Sequence, residues 1–386
     1  MKILFEGQKF ATDAHGGIVR YFAELMRNFD EKPGIKYELP ITYSNNAYLR
    51  TLPRFKNKLK KILPFKEFFP SLRFRGMGRL YLLRIGAGLR SNRKEVIRAI
   101  KARDFDLFHP TYYNYYYLRA LGNKPFVITV YDMIHELFMA NNTHLDPTIA
   151  QKKKIIPLAT RIIAISQSTK DDLVRILNVP AEKIDVIHLA NSLEPTADDL
   201  KTRPAEMTKP YLLFVGSRSG YKNFNKFAKA ILPLLKEKQD LQLVCVGQND
   251  LTHEEEVIFS AENLLARVHL FTVDDHKLIQ FYAHAEAFIF PSLYEGFGIP
   301  VLESFACGCP AILSNASSLP EVGGQAAAYF DPNSEQSMYE VIKKVIESPE
   351  IREEMIRNGK ERLKLFSWKR TAEATKKTYA RALGLL

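Results

Sequence analysis

Short apolar runs alternate with amphipathic stretches along most of the chain. Phe126–Tyr131 and Tyr211–Val215 have the length of a strand and are apolar at almost every position, which is typical of strands buried on both faces of a parallel sheet. Between such runs, apolar residues recur with the period of a helix, as in His15–Leu25. This alternation predicts an α/β protein with parallel sheets and helices on both faces. The expected strands are Lys2–Phe5, Lys36–Ile41, Phe105–His109, Phe126–Tyr131, Arg161–Ser166, Ile184–Ile187, Tyr211–Val215, Leu241–Val246, Val268–Phe271, Ala287–Phe290, Ala311–Leu313 and Ala327–Phe330.

The length of the chain predicts two domains. At 386 residues it is longer than one ordinary core accommodates. The segment 190–210 is polar, contains three prolines and lacks periodicity, so it has the composition of a linker. We therefore expect a first domain over 1–195, a second over 196–368 and a final helix over 369–386.

The overall composition is that of a globular protein that stays in the cytoplasm. Hydrophobic residues make up 46% of the chain and charged residues 25%. No apolar stretch reaches about 18 residues, and the N-terminal apolar run is too short for a signal peptide. The three cysteines (Cys245, Cys307 and Cys309) are too few for a disulfide framework, and we expect buried thiols.

The positive charge is concentrated in one segment. Residues 50–103 hold 17 Lys and Arg against two acids, a local charge of +15, so the rest of the chain carries −3 of the total +12. Aromatic and aliphatic residues are interleaved with these cations, a mixture that favours an anionic membrane surface. The alternative is a solvated helical face with a small core of its own. We expect peripheral association with the inner face of a membrane.

A glycine-bearing loop lies between the run Ala287–Phe290 and a helix that begins at Pro300. Glycines before a helix N-terminus let a ligand approach the backbone, and the unpaired N–H groups there favour an anion. Glu295 in the loop and Glu303 on the first helical turn flank this end, and carboxylates beside a phosphate site suit sugar hydroxyls. The pattern favours a ligand with both phosphate and sugar. The alternative is a simple turn whose glutamates cap the helix.

A second loop with cationic residues follows the strand Tyr211–Val215. Arg218 and Lys222 lie in this loop, at the carboxyl end of the strand, where parallel sheets bind ligands. Two cations and a helix N-terminus can stabilise the charge of a departing diphosphate in place of a metal. We expect neither side chain to be buried in a core.

The loops of the first domain hold glycines and tyrosines. Gly16 and Gly17 follow the first strand. They are therefore expected at the carboxyl end of the sheet, where parallel sheets bind ligands. Tyr112 and Tyr113 belong to a tyrosine cluster that can stack on sugar rings, or simply pack. An Asp-x-Asp at 104–106 precedes its strand instead of following it, so we assign no metal to it.

Together these segments resemble the retaining glycosyltransferases of family four, which have the GT-B fold. The similarity covers nearly the whole chain and is weakest over 45–100. It rests on HGGIVRY, FVITVYDMIHE, FVGSRSGYKN, the Glu-x7-Glu motif of EGFGIPVLE, ASSLPEVGGQAAAYFDP and FSWKRTAEAT.

The resemblance implies two Rossmann-like domains with parallel sheets facing across a cleft, and a last helix that crosses back to the first domain. It also implies a nucleotide-sugar donor held mainly by the second domain, without a metal or other cofactor. Arg218 and Lys222 then hold the diphosphate, and Glu303 holds the ribose. Glu295, with the N–H groups that follow it, holds the transferred sugar. The donor-binding residues carried over are Gly16, Gly17, Arg218, Lys222, Glu295, Gly296, Phe297, Gly298 and Glu303.

The same resemblance implies the catalytic and acceptor-binding residues. The catalytic candidates are Asp132, His135, Arg218, Lys222 and Glu295. Many relatives have a histidine where this chain has Tyr131, which leaves the separate roles of Asp132 and His135 open. The acceptor-binding candidates are Tyr112, Tyr113 and His109, and the alternative for His109 is a histidine that belongs to the core or lines the cleft.

The expected function is transfer of a hexose or 6-deoxyhexose, of mannose or rhamnose type, from a nucleoside-diphosphate sugar. The expected acceptor is a lipid-linked or other glycan in surface polysaccharide assembly. One alternative is a nucleic-acid-binding protein that uses residues 50–103, which leaves Glu295 and Glu303 unexplained. The others are a catalytically silent GT-B subunit and a nucleotide-sugar epimerase of related fold. We expect no nucleic-acid partner.

Overall fold

The structure is a computed structural model of the chain. It describes residues 1–31, 34–56, 58–60, 77–139, 146–248 and 250–386, and it describes 77–85 by backbone alone. Part of the basic segment that the sequence assigns to a membrane surface, from 61 to 76, lies outside the described residues.

The described residues form twelve strands, each within or overlapping a run that the sequence predicts. All pairings between them are parallel, as expected. The strands are β1 (Lys2–Glu6), β2 (Lys36–Glu38), β3 (Leu107–Pro110), β4 (Val127–Val130), β5 (Arg161–Ala164), β6 (Ile184–Val186), β7 (Tyr211–Gly216), β8 (Gln242–Gly247), β9 (Val268–Phe271), β10 (Ala287–Phe290), β11 (Ala311–Ser314) and β12 (Ala327–Phe330).

Helices separate the strands, and three of them end the chain. They are α1 (Gln8–Thr12), α2 (Gly17–Asp30), α3 (Ala47–Thr51), α4 (Met77–Ala102), α5 (Leu118–Leu121), α6 (Ile134–Phe138), α7 (Thr148–Ile155), α8 (Gln167–Leu177), α9 (Ala197–Lys201), α10 (Phe224–Glu237), α11 (His253–Ser260), α12 (Asp275–Ala283), α13 (Ile299–Ala306), α14 (Leu319–Gly323), α15 (Glu335–Glu347), α16 (Pro349–Leu363) and α17 (Trp368–Ala382).

The chain folds into two compact units. The first unit comprises Met1–Ile165, Lys170–Ile187 and Trp368–Leu386. Its strands form two three-stranded sheets with the orders β2-β1-β3 and β4-β5-β6. An isolated parallel bridge between Phe108 and Phe126 connects β3 with the start of β4. Both sheets therefore belong to one layered α/β domain.

The last helix, α17, is part of this first unit. Its Thr378 hydroxyl donates to Asp185 Oδ2 at 2.8 Å, and its buried Tyr379 hydrogen-bonds His109 at 2.7 Å. The chain leaves the first unit between Ile187 and His188, just before the segment with linker composition. Within that segment, the short helix α9 begins at a capping box.

The second unit comprises Ser166–Thr169 and His188–Ser367. Its six strands are ordered β12-β11-β10-β7-β8-β9. Counted from β7, this is the 6-5-4-1-2-3 order of a doubly wound Rossmann sheet. The order reverses between β7 and β10, and ligands of such sheets bind at the carboxyl ends of the strands at that point. The apolar faces of α10 and α15 pack on this sheet and form its core.

The cysteines of the described residues are free thiols, and all three are buried, as the sequence predicts. No helix in the described residues is both long enough and apolar enough to span a bilayer.

Candidate functional site

Two loops meet at the point where the strand order of the second unit reverses. One follows β7 and the other follows β10. The Leu293 N–H donates to the Tyr221 carbonyl at 2.8 Å, and the Asn223 side chain donates to the Pro291 carbonyl at 3.1 Å. These bonds hold the two loops side by side, so their side chains lie in one place.

Lys222 and Glu295 form an ion pair at this point. The Lys222 ammonium lies 2.7 Å from Glu295 Oε1, and the two side chains are only 15% and 11% exposed. The ammonium also lies 5.3 Å from the ring centroids of Tyr221 and of Phe290. Water is largely excluded here, so the pair would act strongly on a charged ligand.

Hydrogen bonds to neighbouring serines hold the backbone of the loop from Glu295 to Gly298. The Ser318 hydroxyl lies 2.9 Å from the Glu295 carbonyl and 2.8 Å from the Phe297 carbonyl, and the Glu295 N–H donates to Ser317 at 2.8 Å. In the described part of the chain, no group accepts from the N–H of Phe297 or of Gly298. These two donors at the start of α13 are therefore available to a ligand.

Glu303 lies further along α13 than the sequence analysis placed it. The helix begins at Ile299 and has no acidic residue in its first turn, so the placement of Glu303 on that turn was wrong. Its Oε2 accepts a hydrogen bond from the buried Tyr282 hydroxyl at 3.2 Å. Burial raises the pKa of Tyr282 well above its usual value, and the Glu303 charge raises it further. The phenol therefore stays protonated and directs the carboxylate.

Arg218 is buried, contrary to expectation. Its side chain is 1% exposed, and its Nε lies 3.1 Å from Glu255 Oε1. The other two guanidinium nitrogens donate to the carbonyls of Gln248 and Asp250. The prediction that neither basic residue is buried was wrong for Arg218, because an internal carboxylate compensates its charge. Direct contact of Arg218 with phosphate stays a prediction that this conformation does not favour.

In the first unit, Asp132 and His135 lie together beyond the carboxyl end of β4. His135 Nδ1 is 4.0 Å from Asp132 Oδ1, and His135 Nε2 is 3.1 Å from Asp146 Oδ2. The fully buried Lys152 ammonium lies 3.0 Å from Glu136 Oε2 and donates to the Asp132 carbonyl at 2.8 Å. The sequence-predicted pair is thus surrounded by charged groups that could orient it.

His109 is a core residue, and its assignment to the acceptor was wrong. It lies on β3 and is fully buried, and both ring nitrogens have partners: Tyr379 of α17 at 2.7 Å and Thr129 of β4 at 3.0 Å. Burial lowers the pKa of His109 to about 3. A neutral imidazole enclosed in this way cannot contact an acceptor.

The two tyrosines predicted to bind the acceptor differ in accessibility. Tyr113 is buried, and its hydroxyl accepts from the Tyr131 N–H at 3.2 Å; it therefore packs, which corrects its assignment. Tyr112 is partly exposed, with the Lys9 ammonium 4.2 Å from its ring centroid. Tyr131 is itself buried, and its hydroxyl donates to the Thr111 carbonyl at 3.1 Å.

Gly16 and Gly17 form the N-terminal end of α2 in the first unit. Gly16 has a φ of 135°, which residues with side chains rarely adopt, and a Cβ added there would meet no atom within 4 Å. The open space at the helix N-terminus suits the close approach of an anion. Contact with a diphosphate stays a prediction.

Sequence reasoning missed four residues that shape the two sites. Ser318 holds the backbone of the loop, and Tyr282 hydrogen-bonds Glu303. Glu255 neutralises Arg218, and the Lys152 ammonium donates to the Asp132 carbonyl. Glu255 had a readable signal, the Thr-x-x-Glu capping box at the start of α11, and Ser318 lies in the segment ASSLPEVGG that supports the family resemblance. Lys152 belongs to a run of three lysines, which is typical of a solvated surface. Among the described residues, no three His, Cys, Asp or Glu side chains form a metal-binding group.

Two family models match successive parts of the chain. The model of Glycosyltransferase Family 4 matches residues 15–190, and that of Glycosyl transferases group 1 matches residues 197–362. The two matches correspond to the two domains and together cover most of the chain.

A curated relative and two solved structures are also similar. O-antigen chain mannosyltransferase B from Escherichia coli is 30% identical over 237 residues, which is 57% of this chain and 60% of that protein. The chain therefore matches less than two thirds of this relative's length. Sucrose-phosphate synthase from Thermosynechococcus elongatus has a TM-score of 0.71 at 20% identity and covers 100% of this chain and 99% of its own. Anabaena HepE in complex with UDP-glucose has a TM-score of 0.66 at 16% identity and covers 100% of both chains.

The structural neighbours establish the fold, and the two family models match the sequences of the two domains. The chain belongs to glycosyltransferase family four and has the two-domain α/β fold known as GT-B.

Proposed function

We propose that this protein transfers a hexose or 6-deoxyhexose from a nucleoside-diphosphate sugar to a glycan acceptor during surface polysaccharide assembly. The observation that carries the proposal is the Lys222–Glu295 pair beside the two N–H groups at the start of α13. Similarity to an O-antigen mannosyltransferase supports a sugar of mannose type. The neighbour with bound UDP-glucose supports a nucleotide-sugar donor.

The chemistry follows from the charges at this site. Departure of the nucleoside diphosphate develops negative charge on the leaving oxygen, which the Lys222 ammonium stabilises. The Phe297 and Gly298 N–H groups bind the transferred sugar. Glu295 accepts hydrogen bonds from hydroxyls of the transferred sugar, and Glu303 does so from the ribose. Arg218 acts indirectly, because its bonds to Glu255 and two carbonyls hold the loop that carries Lys222.

The transfer proceeds with retention and without a metal in this proposal. The leaving phosphate takes the proton of the acceptor hydroxyl, which arrives on the same face of the sugar. Asp132 and His135 of the first domain orient the reactants near the sugar carbon, and Tyr112 contributes to acceptor binding. Gly16 and Gly17 admit the diphosphate to the N-terminus of α2.

A thermal-shift screen tests the donor class. GDP-, UDP- and dTDP-hexoses would each be added, followed by an assay of nucleoside-diphosphate release with glycan acceptors. At 100 times its dissociation constant, a bound donor stabilises the fold by about 2.7 kcal/mol, an increase that the screen detects. If no nucleotide sugar or nucleoside diphosphate raises the melting temperature, the donor assignment fails. Binding without turnover of any donor would instead indicate a catalytically silent member of the family.

The membrane partner is a separate proposal. Residues 50–103 bind an anionic inner-membrane surface that also carries a lipid-linked acceptor. Each Lys or Arg near such a surface contributes about 1 kcal/mol, so the local charge of +15 suffices for peripheral binding.

Vesicle sedimentation tests this proposal. We expect binding to anionic but not neutral vesicles, and release at high salt. Replacing Lys56, Lys58, Lys60 and Lys61 by glutamine should release the protein. The matched control replaces four exposed lysines of the second domain, Lys229, Lys236, Lys360 and Lys364, and should leave binding intact. Binding to duplex DNA at physiological salt, with no affinity for anionic vesicles, would support the nucleic-acid alternative instead.

A further inference from the structure

The N-terminus of α8 is occupied by a carboxylate from elsewhere in the second unit. The Gln167 N–H lies 2.8 Å and 2.9 Å from the two oxygens of Glu321, and the Ser168 N–H lies 3.4 Å from Oε2. The first N–H groups of a helix have no partner within the helix and favour an anion. Glu321 supplies that anion and ties the start of α8 to α14.

Glu321 also binds His188, at the point where the chain enters the second unit. His188 Nε2 lies 2.6 Å from Glu321 Oε1. Burial alone would raise the pKa of Glu321, but hydrogen bonds from His188 and from the Gln167 N–H outweigh it and hold this pKa below its usual value. The carboxylate is therefore ionised when it holds both partners. Arg362 fixes the backbone beside it, since its Nε donates to the Val322 carbonyl at 3.0 Å.

Both partners of Glu321 lead to the loop from Glu295 to Gly298. The His188 ring packs on Phe297 and Phe366, with centroid distances of 5.8 Å and 5.6 Å. In the first turn of α8, the Thr169 hydroxyl lies 3.4 Å from the Gly296 carbonyl. Glu321 is thus connected to successive residues of the loop by two routes, one through a ring and one through a hydroxyl.

We propose that Glu321 is a positioning residue for the sugar-holding loop, and that it acts through His188 and the first turn of α8. This inference rests on the proposed function, because it concerns the same donor site. The loop offers its Phe297 and Gly298 N–H groups only while its carbonyls and the Phe297 ring are held. Loss of Glu321 leaves Lys222, Glu295 and Glu303 in the chain but lets the N–H groups move.

Loss of Glu321 should lower turnover but leave the affinity for the nucleotide unchanged. The transferred sugar contacts the loop, whereas the nucleoside contacts Glu303 and its surroundings. Displacing a substrate-orienting group by about 1 Å lowers turnover by about 10²-fold. A merely structural role would lower the melting temperature and leave both kcat and nucleotide affinity of the folded protein unchanged.

The test compares Glu321→Ala, Glu321→Gln and His188→Phe with a control, Glu354→Gln, at an exposed glutamate of the same unit. We expect Glu321→Ala to lower kcat by about 10²-fold. Glu321→Gln keeps an acceptor for the helix N–H groups, so its kcat should fall less than that of Glu321→Ala. His188→Phe keeps the ring contact and should also be milder. The affinity for the free nucleoside diphosphate, GDP or UDP, should stay within about twofold of the wild type.

Hydrogen exchange of the peptide that spans 293–299 provides a readout that needs no donor. Exchange should be faster in Glu321→Ala than in the wild type and unchanged in Glu354→Gln. Unaltered exchange, or unaltered kcat in Glu321→Ala, would overturn the positioning role. An inactive wild type would contradict the proposed function, while hydrogen exchange would still decide whether Glu321 holds the loop.

Discussion

Two basic residues of the loop after β7 act differently although both lie at the carboxyl end of the strand. Lys222 presents its ammonium to Glu295 in the space beside α13. Arg218 points into the domain and neutralises Glu255, which also caps α11 through the Thr252 N–H at 2.8 Å. One cation is therefore available to a ligand, and the other stabilises the loop and the neighbouring helix.

Arg218→Met should destabilise the protein instead of only reducing its activity. Removing one partner of a buried pair leaves an uncompensated charge, which costs about 3–5 kcal/mol. The double variant Arg218→Met with Glu255→Gln should recover part of this loss, because no buried charge remains. Urea unfolding measures the free energy of each variant.

The control for this series is Arg175→Met. Arg175 pairs with Asp172 on the surface, with 63% of its side chain exposed. Surface pairs contribute about 0–1 kcal/mol. If Arg218→Met unfolds at the same urea concentration as the wild type, the buried pair does not hold the loop as described.

The sequence was sufficient to identify the charged residues at the site, but not to predict which side chains are buried. Lys222, Glu295 and Glu303 were readable because their spacing from glycines and strands marks the end of a parallel sheet. The burial of Arg218 and of His109 depends on Glu255 and Tyr379. These partners come from elements distant in sequence, and no local pattern connects them.

At the scale of elements, the loop before α13 depends on one glycine. Gly298 has a φ of 102°, and a Cβ there would lie 2.9 Å from Leu319 Cδ2. Leu319 is fully buried and cannot move aside easily. The glycine thus allows both the turn of the backbone and the tight packing of α13 on α14.

Gly298→Ala should lower stability and activity together. A left-handed backbone costs a residue with a side chain about 1–2 kcal/mol, and overpacking against Leu319 adds about 1–3 kcal/mol. The strained loop would displace the Phe297 and Gly298 N–H groups, so kcat should fall as well. Thermal unfolding and initial rates measure the two effects.

Gly308→Ala serves as the matched control at the other end of α13. Its φ is 67°, but an added Cβ would come only within 3.8 Å of Ile356 Cγ2. It should show the backbone cost alone and keep normal turnover. Equal losses of activity in the two variants would contradict a special role for the loop.

Most elements could be predicted from the sequence because their patterns are local. The apolar runs predict the strands, and the amphipathic period over 335–347 predicts α15 (Glu335–Glu347). The bounds of the 26-residue helix α4 were not predicted, and a helical face was considered there only as the alternative, because its cations and glycines obscure the apolar period. The short helix α9 was missed because the linker segment is polar and has no apolar period. A capping box begins the helix there without such a period.

At the scale of the molecule, both units are built on parallel strands, and the strand order of the second marks the point at which sheets of this kind bind ligands. The doubly wound order places the reversal between β7 and β10, and the Lys222–Glu295 pair lies there. The family models match both units separately. Strand order and charge therefore indicate the same end of the second sheet for the proposed donor, although each rests on different residues.

The central claim is that this reversal point binds the diphosphate of a sugar donor, and steady-state kinetics of Lys222→Ala test it most directly. Losing one charged transition-state donor should lower kcat by about 10²–10³-fold. Lys229→Ala, at an exposed position of α10 in the same unit, should behave as the wild type. Near-normal turnover of a nucleotide sugar by folded Lys222→Ala would contradict the account.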